Sequence, residues 1–291
     1  MNWLFPPFDP EGGPASPKRR FRRIPIRALI PNVITLLALC MGLTAIRMGI
    51  EGRFELGVAA IVAAAVLDSL DGRVARLLKS TSRFGAELDS LADFVNFGVA
   101  PAVLIYNWSL VDLKSAGWIG VLVFSLCGAL RLARFNVALE RPLPAWTANF
   151  FVGMPAPAGA LCLLLPLYLE YLGLEGTRAL TLPILAYSGL IALFMVSRVP
   201  TFSGKAIGLR IPRDVVLPLF VLVVVFFALL LSFPWLTLAS GTLLYLASIP
   251  FSVLRFRALA EAAAEREAAG EEGASFPQSG REPDARPPKL H

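Results

Sequence analysis

Four aspartates lie within 26 residues of one another: Asp68 and Asp71, three apart, and Asp89 and Asp93, four apart. On a helix either spacing puts both carboxylates on one face. The pairs sit at the facing ends of two apolar segments, 56–77 and 86–108, joined by a short basic link. Antiparallel packing of two such helices brings all four carboxylates to the same depth. An aspartate at the centre of a spanning helix costs about 2.5–3.5 kcal/mol, less near the interface, and four facing one another also repel. Something positive must hold them. The only histidine is His291, and Cys40, Cys127 and Cys162 are scattered through apolar segments. The available donors are therefore carboxylate oxygens, a set that suits Mg²⁺ or Mn²⁺. Two such ions would serve phosphoryl chemistry, one on the nucleophile's side and one on a diphosphate. A solvated rim of ion pairs with Arg73, Arg76, Lys79 and Arg83 accounts for any single aspartate. It does not account for four paired ones with glycines between them.

Neighbouring residues fit a nucleotide ligand. Gly72 removes a side chain beside Asp71, and Ala75 continues the small surface one turn on. Arg76 carries the planar fork that suits phosphate, and Ser82 offers a hydroxyl from the link. With no internal histidine, Ser-His-Asp and Cys-His catalysis are excluded. The rival class is a divalent-cation transporter. Its carboxylates belong near the membrane midplane and its halves often repeat, whereas these aspartates cluster at one end and no repeat is visible.

The elements that must position these groups are membrane helices. Hydrophobic residues make up 56% of the 291 and charged residues 16%, and the mean hydropathy is +0.66, too apolar for a soluble coat. Residues 28–46, 142–169, 179–197 and 215–254 carry no Asp, Glu, Lys or Arg. Runs of about 18 or more such residues are of spanning length. Eight segments are expected: 28–50, 56–77, 86–108, 116–137, 152–173, 179–197, 214–232 and 234–254, with Pro234 breaking the last two apart. If both ends are cytoplasmic, 23 of the 27 Lys and Arg fall inside, the asymmetry that orients membrane proteins. This predicts a multi-pass cell-membrane protein with the aspartates at the cytoplasmic face. Trp108, Trp118 and Trp235 fall near span ends, where interfacial aromatics belong. The net charge of +6 reads as orientation, not nucleic-acid binding. The expected organisation is a basic cytoplasmic segment 1–27, a six-helix catalytic unit 28–213, two further spans in 214–257, and a cytoplasmic, largely disordered tail 258–291.

The spacing D-x2-D-G-x2-A-R-x8-G-x3-D-x3-D is met without a gap by Asp68, Asp71, Gly72, Ala75, Arg76, Gly85, Asp89 and Asp93. It resembles the signature of the CDP-alcohol phosphatidyltransferase family. That resemblance implies an all-α polytopic bundle with a six-span core, two metal ions held by the four aspartates, and Asp93 as the base. It also implies that Asn32, Thr35, Gly72, Ala75, Arg76, Ser82 and Gly85 line the CDP-diacylglycerol site, and that the protein is a homodimer. The stretches 90–101, 131–136, 150–157 and 200–205 resemble the serine-using bacterial and archaeal members. They imply transfer of a phosphatidyl group from CDP-diacylglycerol to L-serine with release of CMP. Another alcohol (glycerol 3-phosphate, inositol phosphate or choline) is the near alternative. A serine carboxylate needs cations, which Arg131 and Arg134 at the end of the fourth segment can supply, unless they only anchor that helix at the interface. Asn96 and Asn136 are either acceptor contacts or interhelical hydrogen bonds.

Overall fold

A computed structural model describes residues 29–139, 150–202 and 213–274; the segment 1–27 lies outside them. Helix α1 (Ile30–Ile50) starts with Pro31 in its first turn, where a missing N–H costs nothing. It packs along α2 (Phe54–Leu77), where Gly57 approaches the Ala45 carbonyl. Gly42 and Gly49 of α1 instead let Asn96 and Leu104 of the following apolar helix come close. Without a hydrophobic drive between helices in lipid, close backbone approach of this kind holds them together.

After a short link come α3 (Arg83–Asp93), a π-helical turn (Phe94–Val99) and α4 (Ala100–Trp108), which together form one apolar helix, Arg83–Trp108. The π turn displaces the α3 face from the α4 face. Its Gly98 carbonyl accepts a hydrogen bond from Ser125 Oγ (3.1 Å) on α5 (Ser115–Leu139). Helices α6 (Ala156–Leu163) and α7 (Leu165–Tyr171) share the next segment, broken at Leu164 before Pro166. Helix α8 (Thr181–Val196) packs against α5.

Two short strands, β1 (Phe150–Val152) and β2 (Pro200–Phe202), pair antiparallel and tie the entry of α6 to the exit of α8. Gly153 closes this junction at φ +81°, with its N–H on the Val199 carbonyl (2.9 Å). A Cβ there would stand 2.8 Å from both the Met195 and Ser197 carbonyl oxygens.

Helices α9 (Arg213–Ser232) and α10 (Pro234–Ala274) meet at Pro234, the expected break. Helix α10 packs on β2, α7 and α6, whereas α9 touches little besides α10.

Among the described residues four helices are long and apolar enough to cross a membrane: Ile30–Ile50, Arg83–Trp108, Ser115–Ala138 and Pro234–Leu259. Thr181–Val196 and Leu217–Ser232 are shorter apolar helices. The fold is a helical membrane bundle.

Helix α10 runs on to Ala274, past the bound expected at 257. One interfacial aromatic departs from expectation. Trp108 is 3% exposed and buried in the core; only Trp118 and Trp235 remain as boundary aromatics. Helix α2 packs on α1 and on the π turn and α4 of the next apolar helix, while α3 packs on α1.

Candidate active site

The carboxylates gather where the end of α2 meets α3. Oxygens of Asp68, Asp71 and Asp89 lie within 4.8 Å of one another. Asp68 lies within hydrogen-bonding reach of both Asp89 and Asp93. The Asp93 Oδ1 atom is buried without a partner. Among the described residues, no Lys or Arg nitrogen pairs with any of the four; the ion pairs there, Arg47–Glu51 and Arg53–Glu51, involve none of them. Four carboxylates this close, with no ion pair to a Lys or Arg among the described residues, form a site that a hard divalent cation fits. A solvated rim of ion pairs would have shown the basic link folded onto them.

Two elements hold Asp71 in place. It is 5% exposed, and its Oδ2 accepts a hydrogen bond from Thr35 Oγ1 at 2.6 Å across the α1–α2 interface. Gly72 beside it faces open space, with nothing within 4 Å of where a Cβ would stand. Arg76 is exposed, and its Nε donates to the Gly72 carbonyl (3.1 Å); Ala75 is half-buried beside it. This small, open surface is next to the carboxylates, as a nucleotide cradle requires.

Ser82 acts locally. Its Oγ accepts the Gly85 N–H (3.0 Å) and caps α3, the standard satisfaction of a helix start. Gly85 lets Asn32 of α1 sit over that start, since a Cβ at 85 would be 3.0 Å from Asn32 Oδ1. Thr35 and Gly72 thus adjoin the Asp71 carboxylate directly, while Asn32, Ser82 and Gly85 meet one another at the start of α3.

The four residues considered for the acceptor separate. Arg131 is half-buried, with its guanidinium over the Phe135 ring at 5.3 Å and within electrostatic range of Asp93 and Tyr245. Arg134 points elsewhere: its Nη1 donates to the Val196 carbonyl (2.6 Å) and caps the end of α8. Asn136 Nδ2 donates to Ser90 Oγ (2.9 Å), an α5–α3 bridge. Asn96, in the π turn one helical turn beyond Asp93, is 0% exposed, and neither its Oδ1 nor its Nδ2 has a partner. Sequence reasoning missed Tyr245, which lies within electrostatic range of Arg131. An isolated tyrosine in an apolar segment carries no motif.

Comparison with known proteins agrees with this geometry. The family model described as CDP-alcohol phosphatidyltransferase matches residues 28–201, and a second, CDP-alcohol phosphatidyltransferase 2, matches 214–250. The chain belongs to the CDP-alcohol phosphatidyltransferase family, and its last two helices carry a recognised family pattern of their own. Within that family it is similar to a CDP-diacylglycerol–serine O-phosphatidyltransferase of Mycobacterium leprae, 40% identical over 242 residues, which are 83% of this chain and 80% of the relative. An enzyme of the same name from Mycobacterium tuberculosis is 38% identical over 245 residues, covering 84% and 85%. A third, from Helicobacter pylori, is 35% identical over 222 residues, covering 75% and 88%.

Proposed function

We propose that this enzyme is a phosphatidylserine synthase, transferring the phosphatidyl group of CDP-diacylglycerol to the hydroxyl of L-serine. The observation that carries the reading is the set of four clustered carboxylates beside an open, small-residue surface, in a chain whose relatives over most of its length bear that name. Asp68, Asp71, Asp89 and Asp93 would hold one or two divalent ions, Mg²⁺ or Mn²⁺. Bound there, such ions neutralise a diphosphate and the charge that develops on it.

The chain's own residues do the rest. Thr35 fixes the Asp71 carboxylate. Gly72 and Ala75 let the cytidine lie against α2, while Arg76 and Asn32 flank the site. Arg131 orients the serine carboxylate so that the hydroxyl meets Asp93. Asp93 takes the hydroxyl proton, a bond forms from the serine oxygen to the phosphorus bearing diacylglycerol, and the bridging P–O bond to CMP breaks. CMP leaves with the electron pair.

The 28–213 segment is the catalytic unit. The aspartates face the cytoplasm, the orientation that puts 23 of the 27 Lys and Arg on that side. The enzyme works as a homodimer. CMP release by the purified protein, measured with L-serine, glycerol 3-phosphate, inositol phosphate and choline in turn, tests the reading. Serine alone is expected to support release; release with another acceptor and none with serine overturns it.

A further inference from the structure

Serine and threonine hydroxyls in apolar helices commonly turn back onto the carbonyl four residues earlier. Thr44, Ser90, Ser188 and Thr237 do so here. Ser125 of α5 does not. Its Oγ crosses to the preceding helix and donates to the Gly98 carbonyl (3.1 Å), inside the π turn. Gly128 presents no side chain to the same spot, and a Cβ there would stand 3.3 Å from Gly98 Cα. From α1, Gly42 makes room for the Asn96 side chain of the turn. Asn96 is 0% exposed with neither amide atom bonded, so the turn carries a cost that its own polar side chain does not offset. Turns of this kind are rare and concentrate at functional sites. Among the described residues, the Ser125 hydroxyl is the side-chain donor that supports this one.

The turn follows directly on Asp93 and interrupts the helix Arg83–Trp108. Closing over one additional residue, it rotates the α3 face relative to the α4 face by about 100°, the step of one residue at 3.6 per turn. The α4 face is fixed independently. It packs on α1 and α2, where Leu104 fills the space left by Gly49 and Gly57. The π turn therefore decides where α3 aims its carboxylates. With the turn in place, Asp89 has an oxygen within 4.8 Å of oxygens of Asp68 and Asp71, and Asp93 comes within hydrogen-bonding reach of Asp68. A continuous α-helix through 94–99 would swing Asp89 and Asp93 away from them by that same rotation.

We propose that Ser125 is a positioning residue for the aspartate site: its hydrogen bond to the Gly98 carbonyl keeps the π turn formed, and the turn brings Asp89 and Asp93 to Asp68 and Asp71. The inference rests on the aspartates as a divalent-metal site and is independent of the acceptor alcohol. Ser125 acts through the helix backbone, so its loss is felt as a misdirected pair of carboxylates.

The test is Mn²⁺ binding by the full-length protein in detergent, followed through the electron paramagnetic resonance signal of free Mn²⁺ with no substrate present. Ser125→Ala should weaken binding about ten-fold or more, the scale of lost outer-shell support at metal sites. Ser125→Thr keeps the hydroxyl and should stay close to wild type. Ser188→Ala, which removes a hydroxyl bonded within its own helix, should leave the affinity unchanged. The metal-free thermal midpoint of Ser125→Ala should fall no further than that of Ser188→Ala. Unchanged affinity in Ser125→Ala overturns the proposal, as does equal weakening by Ser125→Ala and Ser125→Thr. Weakening that comes with a metal-free midpoint well below that of Ser188→Ala, or with a protein that no longer folds, also overturns it and marks Ser125 as structural. A wild-type protein that binds no Mn²⁺ removes the metal reading underneath, and the wild-type titration alone shows that failure.

Discussion

Thr35 is the residue whose effect can be worked most fully from the structure. Its Oγ1 stands 2.6 Å from Asp71 Oδ2 and 3.1 Å from the Pro31 carbonyl. One hydroxyl proton serves one acceptor, and the shorter, charge-assisted bond to the carboxylate takes it. Both residues are nearly sealed, at 4% and 5% exposure, so water cannot replace the donor. Thr35→Val keeps the shape and removes the proton. A hydrogen bond to a charged group contributes about 1.5–3 kcal/mol, and at ~1.36 kcal/mol per decade that is about 10- to 150-fold. The loss should appear in the affinity for the divalent ion, because a freed Asp71 carboxylate no longer points at its neighbours; outer-shell partners of metal ligands commonly contribute about 10- to 100-fold. The assay is CMP release at fixed substrate concentrations over a Mn²⁺ titration. The midpoint should move to higher metal for Thr35→Val and stay close to wild type for Thr35→Ser. A Thr35→Val midpoint and rate within about two-fold of wild type would refute the reasoning.

Three further outcomes follow from the same geometry. Asp93→Asn should keep CDP-diacylglycerol binding, measured with a labelled analogue, and lose turnover; binding lost in parallel with rate makes Asp93 a ligand first and a base second. Arg131→Gln should raise the Michaelis constant for serine about 10- to 100-fold. Arg134→Gln should leave that constant unchanged and lower the thermal midpoint instead, because its guanidinium caps α8 through the Val196 carbonyl. Gly42→Ala drives a methyl group into the Asn96 side chain; overpacking of this kind costs about 1–3 kcal/mol and should lower the detergent-solubilised midpoint, whereas an unchanged midpoint would mean the π turn yields easily.

The carboxylate site was legible because four aspartates among apolar residues are an energetic anomaly at fixed spacing, and spacing survives folding. The α9–α10 break at Pro234 was legible for a similar local reason. What the sequence hid was non-local or depended on direction. Strands β1 and β2 pair residues about 50 positions apart, too short and too distant to register in a hydropathy pattern. Arg131 and Arg134 are three apart and look like a pair, yet one guanidinium lies within electrostatic range of Asp93 and the other reaches the end of α8; a long flexible side chain decouples its tip from the helical face that carries it. The π turn at Phe94–Val99 leaves no compositional mark, although it decides where Asn96 lies relative to Asp93. Ser82, read from sequence as a ligand contact, also caps α3, a role its sequence context equally allows.

The central claim is that the four-aspartate cleft joins serine to a phosphatidyl group with the help of a divalent ion. The most direct test is to incubate the purified enzyme with CDP-diacylglycerol and L-serine and to quantify phosphatidylserine and CMP together by mass spectrometry. The same reaction is run with Asp68→Ala, Asp71→Ala or Asp89→Ala enzyme of wild-type thermal stability, and after chelation and readdition of Mn²⁺ or Mg²⁺. The account predicts equimolar products from the wild type, loss on chelation, recovery with metal, and no product from any of the three variants. Equimolar products from a fully chelated enzyme, or from any one of those variants at near wild-type rate, would contradict it.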